Sequence, residues 1–198
     1  MPEPRIKGSA IGQLVEDVRR LRDAGRIEAD ELSVRLDPAA LELLERKPQP
    51  ALWYPIESYQ RLTDVLWELE GRRSPDYLRR RGAATAERLI QAGLYAQLSA
   101  LERSAQGVAE YLKLTRRVAT LMGAIYDFAR ITVGVDPRQP RRIVLEVDDG
   151  GYFSEAIRLV IEGFFTRIAR ERGLAHQWVS ERTGATTVLF RMDRDLGA

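Results

Sequence analysis

His176 is the only imidazole in the sequence, and there is no Cys. Those two facts remove much of the chemistry a chain of this size can carry. Without thiols there are no disulfides, thiol nucleophiles, zinc fingers or cysteine-held iron–sulfur clusters. With one imidazole there is no site built from two, the helical two-His zinc motif included. No Gly-x-Ser-x-Gly turn is present to present a serine nucleophile. Asp148-Asp149-Gly150-Gly151 offers carboxylate oxygens, and Asp127 and Glu146 lie on neighbouring predicted strands. The spacing of a calcium loop is missing, however, and the tetrapeptide is what a tight turn requires. No metal is expected. Pairs such as Asp127 with Arg130, or Glu146 with His176, are accidents of spacing, so no catalytic residue is assigned and the chain is expected to be non-enzymatic. His176 falls at the start of a predicted strand and is expected to be at the surface or half buried.

The aromatic residues carry more information. Trp53, Tyr54, Tyr126, Phe128, Phe164 and Trp178 are candidates for lining a site for a small apolar ligand, because such pockets are apolar and aromatic with a few polar groups. Arg130, Thr132 and the tyrosine hydroxyls would orient the ligand. The competing reading is that helix-spaced aromatics are filled core. Arginines cluster at Arg72-Arg73, Arg79-Arg80-Arg81, Arg116-Arg117 and Arg141-Arg142. Consecutive helical residues point about 100° apart. The 31 Lys plus Arg are offset by 29 Asp plus Glu, a net charge of +2. Nucleic acid is therefore not an expected partner. Arg79, Arg80, Arg116 and Arg117 are candidates for docking an acidic protein patch; the plainer reading is a solvated, partly paired face.

The elements that must position these residues follow from periodicity. Ile11, Leu14, Val15, Val18 and Leu21 repeat at helical spacing, with Ser9 as a cap and Gly25 as a stop. A charged connector follows. Asp37-Pro38 opens a short helix burying Leu41 and Leu44, which Pro48 and Pro50 end. An aromatic segment, Leu52 to Ile56, leads into a helix carrying Tyr59, Leu62, Thr63 and Leu66, stopped by Gly71. Ser74-Pro75-Asp76 opens the next, with Leu78, Gly82, Thr85 and Leu89 inward and an end at Gly93. Its small residues Gly82, Ala83, Ala84 and Ala86 would let another helix approach closely. Leu94 to Ser104 reads as short helix and loop. Val108, Tyr111, Leu112, Thr115, Val118, Ala119 and Met122 mark another helix.

After Met122 the period falls from 3.6 to 2. Strands are predicted over Ile125–Val135 and around Ile143, Leu145 and Val147, joined by a turn at Asp136–Pro140. A strongly apolar helix follows from Phe153 to Ile168, stopped by Gly173. Leu174–Glu181 and Thr186–Met192 form a closing hairpin. The expectation is α+β: a four-stranded antiparallel sheet in a ββαββ half, covered by an α-helical N-terminal half. One domain is expected over 1–198, with a helical part over 1–123 and a ββαββ part over 124–198. No stretch reaches 18 consecutive apolar residues, so no membrane span is expected. The first residues lack a secretory apolar run, so the cytoplasm is the expected location.

Several short segments together resemble a known group. They are Ile6-Lys7-Gly8, Trp53-Tyr54-Pro55 with Tyr59, Arg80-Arg81-Gly82-Ala83, Ile125-Tyr126-Asp127-Phe128, and Glu162-Gly163-Phe164-Phe165 through Leu189-Phe190-Arg191-Met192. The layout is similar to a bacterial family of unknown function. That family looks related to the vinyl-reductase domain, the haem-based nitric-oxide sensor domain and subunits of vesicle-tethering complexes. The resemblance implies a regulatory module that binds a small apolar ligand or a protein partner, or that dimerises. The alternative is an oligomeric adaptor working only through protein contacts. Vinyl-reductase domains commonly carry cysteines in the last helix and hairpin, and this chain has none. Haem sensors use a helical His with a Tyr-x-Ser-x-Arg clamp, and neither is present. No haem or other cofactor is expected.

Overall fold

A computed structural model describes residues 3–92 and 107–196. The helix stop expected at Gly93 and the short helix and loop expected from Leu94 to Ser104 lie outside the described residues. The chain groups into two compact units. One consists of Met1–Ser74 and Ala124–Phe128, the other of Pro75–Gly123 and Ala129–Ala198.

The first unit contains β1 (Arg5–Lys7), α1 (Gly8–Asp23), α2 (Ala29–Arg35), α3 (Pro38–Glu45), β2 (Trp53–Pro55) and α4 (Ile56–Leu69). In α1 the expected stripe of Ile11, Leu14, Val15, Val18 and Leu21 is buried. The helix begins at Gly8 without a side-chain cap, so Ser9 does not serve as one. The charged connector contains α2, whose buried residue is Leu32. In α3 Asp37 accepts from the Ala40 N–H at 2.9 Å, with Pro38 first in the helix. Such a cap is worth about 1 kcal/mol. Its buried leucines are Leu43 and Leu44, and Leu41 is half-buried. In an eight-residue helix one period does not fix the inward face, and the second row won. β1 and β2 pair antiparallel, Ile6 opposite Tyr54. Three-residue strands carry no period for sequence to read. After α4, Arg72 and Arg73 both adopt positive φ, 47° and 58°. Trp67 secures this left-handed turn: its carbonyl accepts from Arg73 N–H at 2.9 Å, and its indole donates to the Ser74 carbonyl at 2.9 Å.

The second unit contains α5 (Pro75–Gln91), α6 (Val108–Gly123), β3 (Arg130–Asp136), β4 (Gln139–Asp148), α7 (Glu155–Glu171), β5 (Trp178–Arg182) and β6 (Thr187–Met192). The four strands form one antiparallel sheet in the order β3-β4-β6-β5. The architecture is thus α+β, with seven helices and this sheet among the described residues. The alternation is as expected in the middle strands: Ile143, Leu145, Val147, Val188, Phe190 and Met192 are all buried. Two strands start later than expected. β3 begins at Arg130, because Ile125–Phe128 belong to the first unit, where Tyr126 bridges Ile6. β5 begins at Trp178, after a bend closed by reciprocal Gln177–Asp193 bonds of 2.7 and 2.9 Å.

α5 and α7 pack against each other through glycine. A methyl group on Gly82 would penetrate the Val160 carbonyl, and one on Gly163 would penetrate the backbone of Arg79. The buried stripe of α5 is Leu78, Gly82 and Ala86; Thr85 and Leu89, expected inward, are half-buried. The small-residue face is therefore used inside the chain. No helix among the described residues is long and apolar enough to cross a membrane.

Candidate functional site

The six aromatic candidates fall into two groups, one in each unit. In the first unit, β1 is the organiser. Ile6 pairs with Tyr54 on one side and bridges Tyr126 on the other. Lys7 N–H donates to the Ile125 carbonyl at 2.9 Å, and Asp127 N–H to the Arg5 carbonyl at 3.2 Å. Asp127 also accepts from Arg5 N–H at 2.7 Å and Nε at 2.8 Å. That bond set fixes residues 125–127 beside the ribbon, so Asp127 is a partner of Arg5 rather than of Arg130. Trp53, Tyr54 and Phe128 are half-buried, and Tyr126 is buried. Phe128 meets Tyr126 edge-on, centroids 5.7 Å apart. The Lys7 ammonium lies 4.1 Å from the Trp53 ring centroid and donates to the Ala51 carbonyl at 3.0 Å. Such a contact is worth about 0.5–1 kcal/mol at an exposed site. Burial, with Tyr59 adding to it, pushes the Tyr126 phenol well above its usual range, so it stays neutral.

In the second unit, Phe164 and Trp178 join a buried aromatic cluster. Trp178 and Phe165 are each 1 % exposed, their rings 5.2 Å apart. Phe164 packs edge-on against Phe165 at 5.7 Å. His176 belongs to this cluster and is buried at 2 % exposure, against the expectation of a surface or half-buried residue. The bend before β5 turns its ring inward, which period-2 reading does not register. Its Nε2 lies 2.9 Å from the Tyr111 hydroxyl. Trp178 Nε1, which can only donate, points at the same oxygen from 3.4 Å. The Tyr111 hydroxyl thus bridges the imidazole and the indole inside the core. Burial lowers the His176 pKa to about 4, opposed by a smaller rise from Asp193 and aided by a smaller lowering from Arg194.

Stability should depend on pH through this ring. In the unfolded chain His176 titrates near 6.5, in the fold near 4. Above about pH 6.5 the ring is neutral in both states and stability is full. As pH falls to 4, only the unfolded chain takes up the proton. The fold is expected to lose on the order of 3 kcal/mol across that window. Urea melts at pH 7 and pH 4.5 check this, and His176→Gln should flatten the dependence. A pH-independent wild type would contradict it.

Glu162 and Asp149 are buried in this unit, each carboxylate among several donors. Glu162 accepts from Arg79 Nε at 2.8 Å, and from Ser180 N–H at 2.7 Å and Oγ at 2.6 Å. Asp149, fully buried, accepts from Arg182 at 2.7 and 3.2 Å, Gly151 N–H at 2.8 Å and Phe153 N–H at 2.9 Å. Their partners lie far off in sequence, so the sequence marks Asp149 only as a turn residue and carboxylate oxygen source, and Glu162 only within the resembling segment Glu162–Phe165. Of the arginine candidates, Arg79 pairs with Glu162 and Asp76. Arg80, Arg116 and Arg117 are exposed. Glu146 is exposed on the outer side of the sheet. No metal-holding group of His, Asp or Glu occurs among the described residues.

No protein-family model matches the chain. No curated protein matches it in sequence either. Solved structures do. A mutant H-NOX protein from K. algicida in its Fe(II) unliganded state matches with a TM-score of 0.65 at 14% identity, over 97% of this chain and 98% of that one. An H-NOX protein from S. oneidensis in the Fe(II)NO ligation state matches with a TM-score of 0.57 at 13% identity, over 95% and 98%. A mutant H-NOX protein from T. tengcongensis matches with a TM-score of 0.53 at 10% identity, over 96% and 100%.

That fold implies a haem, and the residues present do not fit one. A nitrogen ligand to iron needs a free lone pair. Nε2 of His176 is engaged by the Tyr111 hydroxyl at 2.9 Å, and the ring is 2 % exposed. No other His and no Cys exists in the chain. Of the remaining soft donors, Met192 sulfur accepts from the Ile143 N–H at 3.2 Å within the sheet. The Tyr-x-Ser-x-Arg clamp is absent from the sequence; between Tyr126 and Arg130 stands Phe128, which has no hydroxyl. The chain has the fold of the H-NOX haem–NO sensor domains, and its single imidazole is engaged in its core.

Proposed function

We propose that the chain is a non-enzymatic regulatory module that keeps a haem-sensor fold and works without haem. The observation that carries this is the buried Tyr111–His176–Trp178 network, which uses the single imidazole structurally. Recognition then falls to Trp53, Tyr54, Tyr126 and Phe128 around β1, with a small apolar ligand as the occupant. These rings are the candidates that are half-buried or lie beside half-buried ones, whereas Phe164 and Trp178 support the sheet from inside. Fully burying one apolar side chain is worth roughly 1.5–3 kcal/mol, so a few aromatic contacts suffice for micromolar affinity.

Two measurements test the reading. After incubation with haemin and desalting, the expected absorbance is free of a Soret band. Titration with N-phenyl-1-naphthylamine is expected to show saturable binding that Trp53→Ala and Tyr54→Ala weaken. A stable stoichiometric Soret band, or no saturable binding of the probe, would overturn it.

A second reading, an adaptor acting through protein contacts, is favoured by Arg116 and Arg117, which are exposed on α6 with no carboxylate partner among the described residues.

A further inference from the structure

We propose that the outer edge of β3 is a docking site for an extended, acidic segment of a partner protein, which adds to the sheet as a fifth strand. The two edges of the sheet are built differently. On β5, Ser180 N–H is taken by Glu162 at 2.7 Å and Trp178 N–H by Thr166 at 3.0 Å. Those acceptors sit four residues apart on α7, matching alternate outward N–H groups of the strand. That edge is closed from within. β3 stands at the other end of the order and pairs only with β4. Arg116 Nε reaches the Val133 carbonyl at 3.4 Å, so the backbone groups of Val133 point away from β4. Alternation along an antiparallel ladder places those of Ile131 and Val135 on the same side. Among the described residues no other strand meets them; Arg116 holds the Val133 carbonyl and would turn from it to a carboxylate of the added strand, while the N–H groups of Ile131, Val133 and Val135 have no acceptor there. Thr132 is exposed, and Val135, an apolar residue, is 40% exposed. An open edge of β-branched residues is a template for strand addition.

Charge selects the occupant. Arg116 and Arg117 on α6, Arg130 on β3 and Arg138 in the β3–β4 turn are all exposed. None of the four has a carboxylate partner among the described residues. The carboxylates opposite β3 in register, Glu146 and Asp148, belong to β4, one strand further in. A second copy pairing edge to edge would bring these guanidinium groups against each other. A strand bearing Glu or Asp would instead give charge-assisted pairs with them. This site lies in a different unit from the aromatic group around β1 and takes a different class of ligand, so the two assignments stand or fall separately.

The probe is a short, end-blocked fluorescent peptide alternating valine with glutamate, used with the full chain. Anisotropy is expected to show micromolar binding, weakened roughly tenfold or more by Arg116→Glu/Arg117→Glu and by high salt. Hydrogen exchange is expected to slow at Ile131, Val133 and Val135. Val135→Pro, which removes one outward N–H at an exposed position, should weaken binding while circular dichroism and melting remain those of a folded chain. Equal binding of the matching valine–lysine peptide, protection confined to other strands, absence of binding at millimolar peptide, or self-association through β3 in sedimentation would each overturn the proposal.

Discussion

Gly163→Ala is expected to destabilise the protein, although helix propensity alone would favour alanine over glycine by about 1 kcal/mol. The added methyl group would occupy space held by the Arg79 carbonyl, and backbone on a neighbouring helix cannot rotate away as a side chain can. Either α5 or α7 must move. Overpacking a close-packed site costs roughly 1–3 kcal/mol, and more when both contacting atoms are backbone. Gly163→Val should therefore lose at least about 3 kcal/mol, roughly a 6–12 °C fall in melting temperature for a chain of this length. Gly82→Ala meets the Val160 carbonyl in the same way and should behave alike. Gly123→Ala is the control, since nothing lies within 4 Å of where its methyl group would sit. A neutral or stabilising Gly163→Ala would show that the helices are further apart than described.

Asp149→Ala should be comparably severe. It leaves Arg182 without its anion, and the buried Phe153 N–H and the Gly151 N–H without their acceptor. Removing one member of a buried pair costs about 3–5 kcal/mol, because the remaining charge and donors stay desolvated. The exposed pair Arg61–Glu57 is the contrast: Glu57→Ala should cost less than about 0.5 kcal/mol. Urea denaturation of both variants at pH 7 checks the difference. Equal effects would mean that Asp149 is not the closed site described.

Sequence made the second unit largely legible. The period-2 alternation through Ile143, Leu145, Val147, Val188, Phe190 and Met192 identified the middle strands, and the small residues around Gly82 announced a close helix neighbour. The neighbour proved to be α7 of the same chain, because helix spacing reveals a face and not its partner. The first unit was less legible. β1 and β2 are too short to show a period, and Tyr126 was read into β3 because its apolar neighbours continue the alternation. The burial of Glu162 and His176 is hidden from the sequence for another reason. The burial of a polar side chain depends on partners 18 and 65 residues away, and no local pattern encodes them.

One measurement bears most directly on the claim that this haem-sensor fold uses its imidazole as core. With a single His in the chain, 15N-labelled histidine gives one set of ring signals. The expected result is a neutral ring whose signals stay in place between pH 8 and pH 5 and are unaffected by stoichiometric haemin. Titration near pH 6.5, or paramagnetic loss of those signals together with a Soret band, would contradict it.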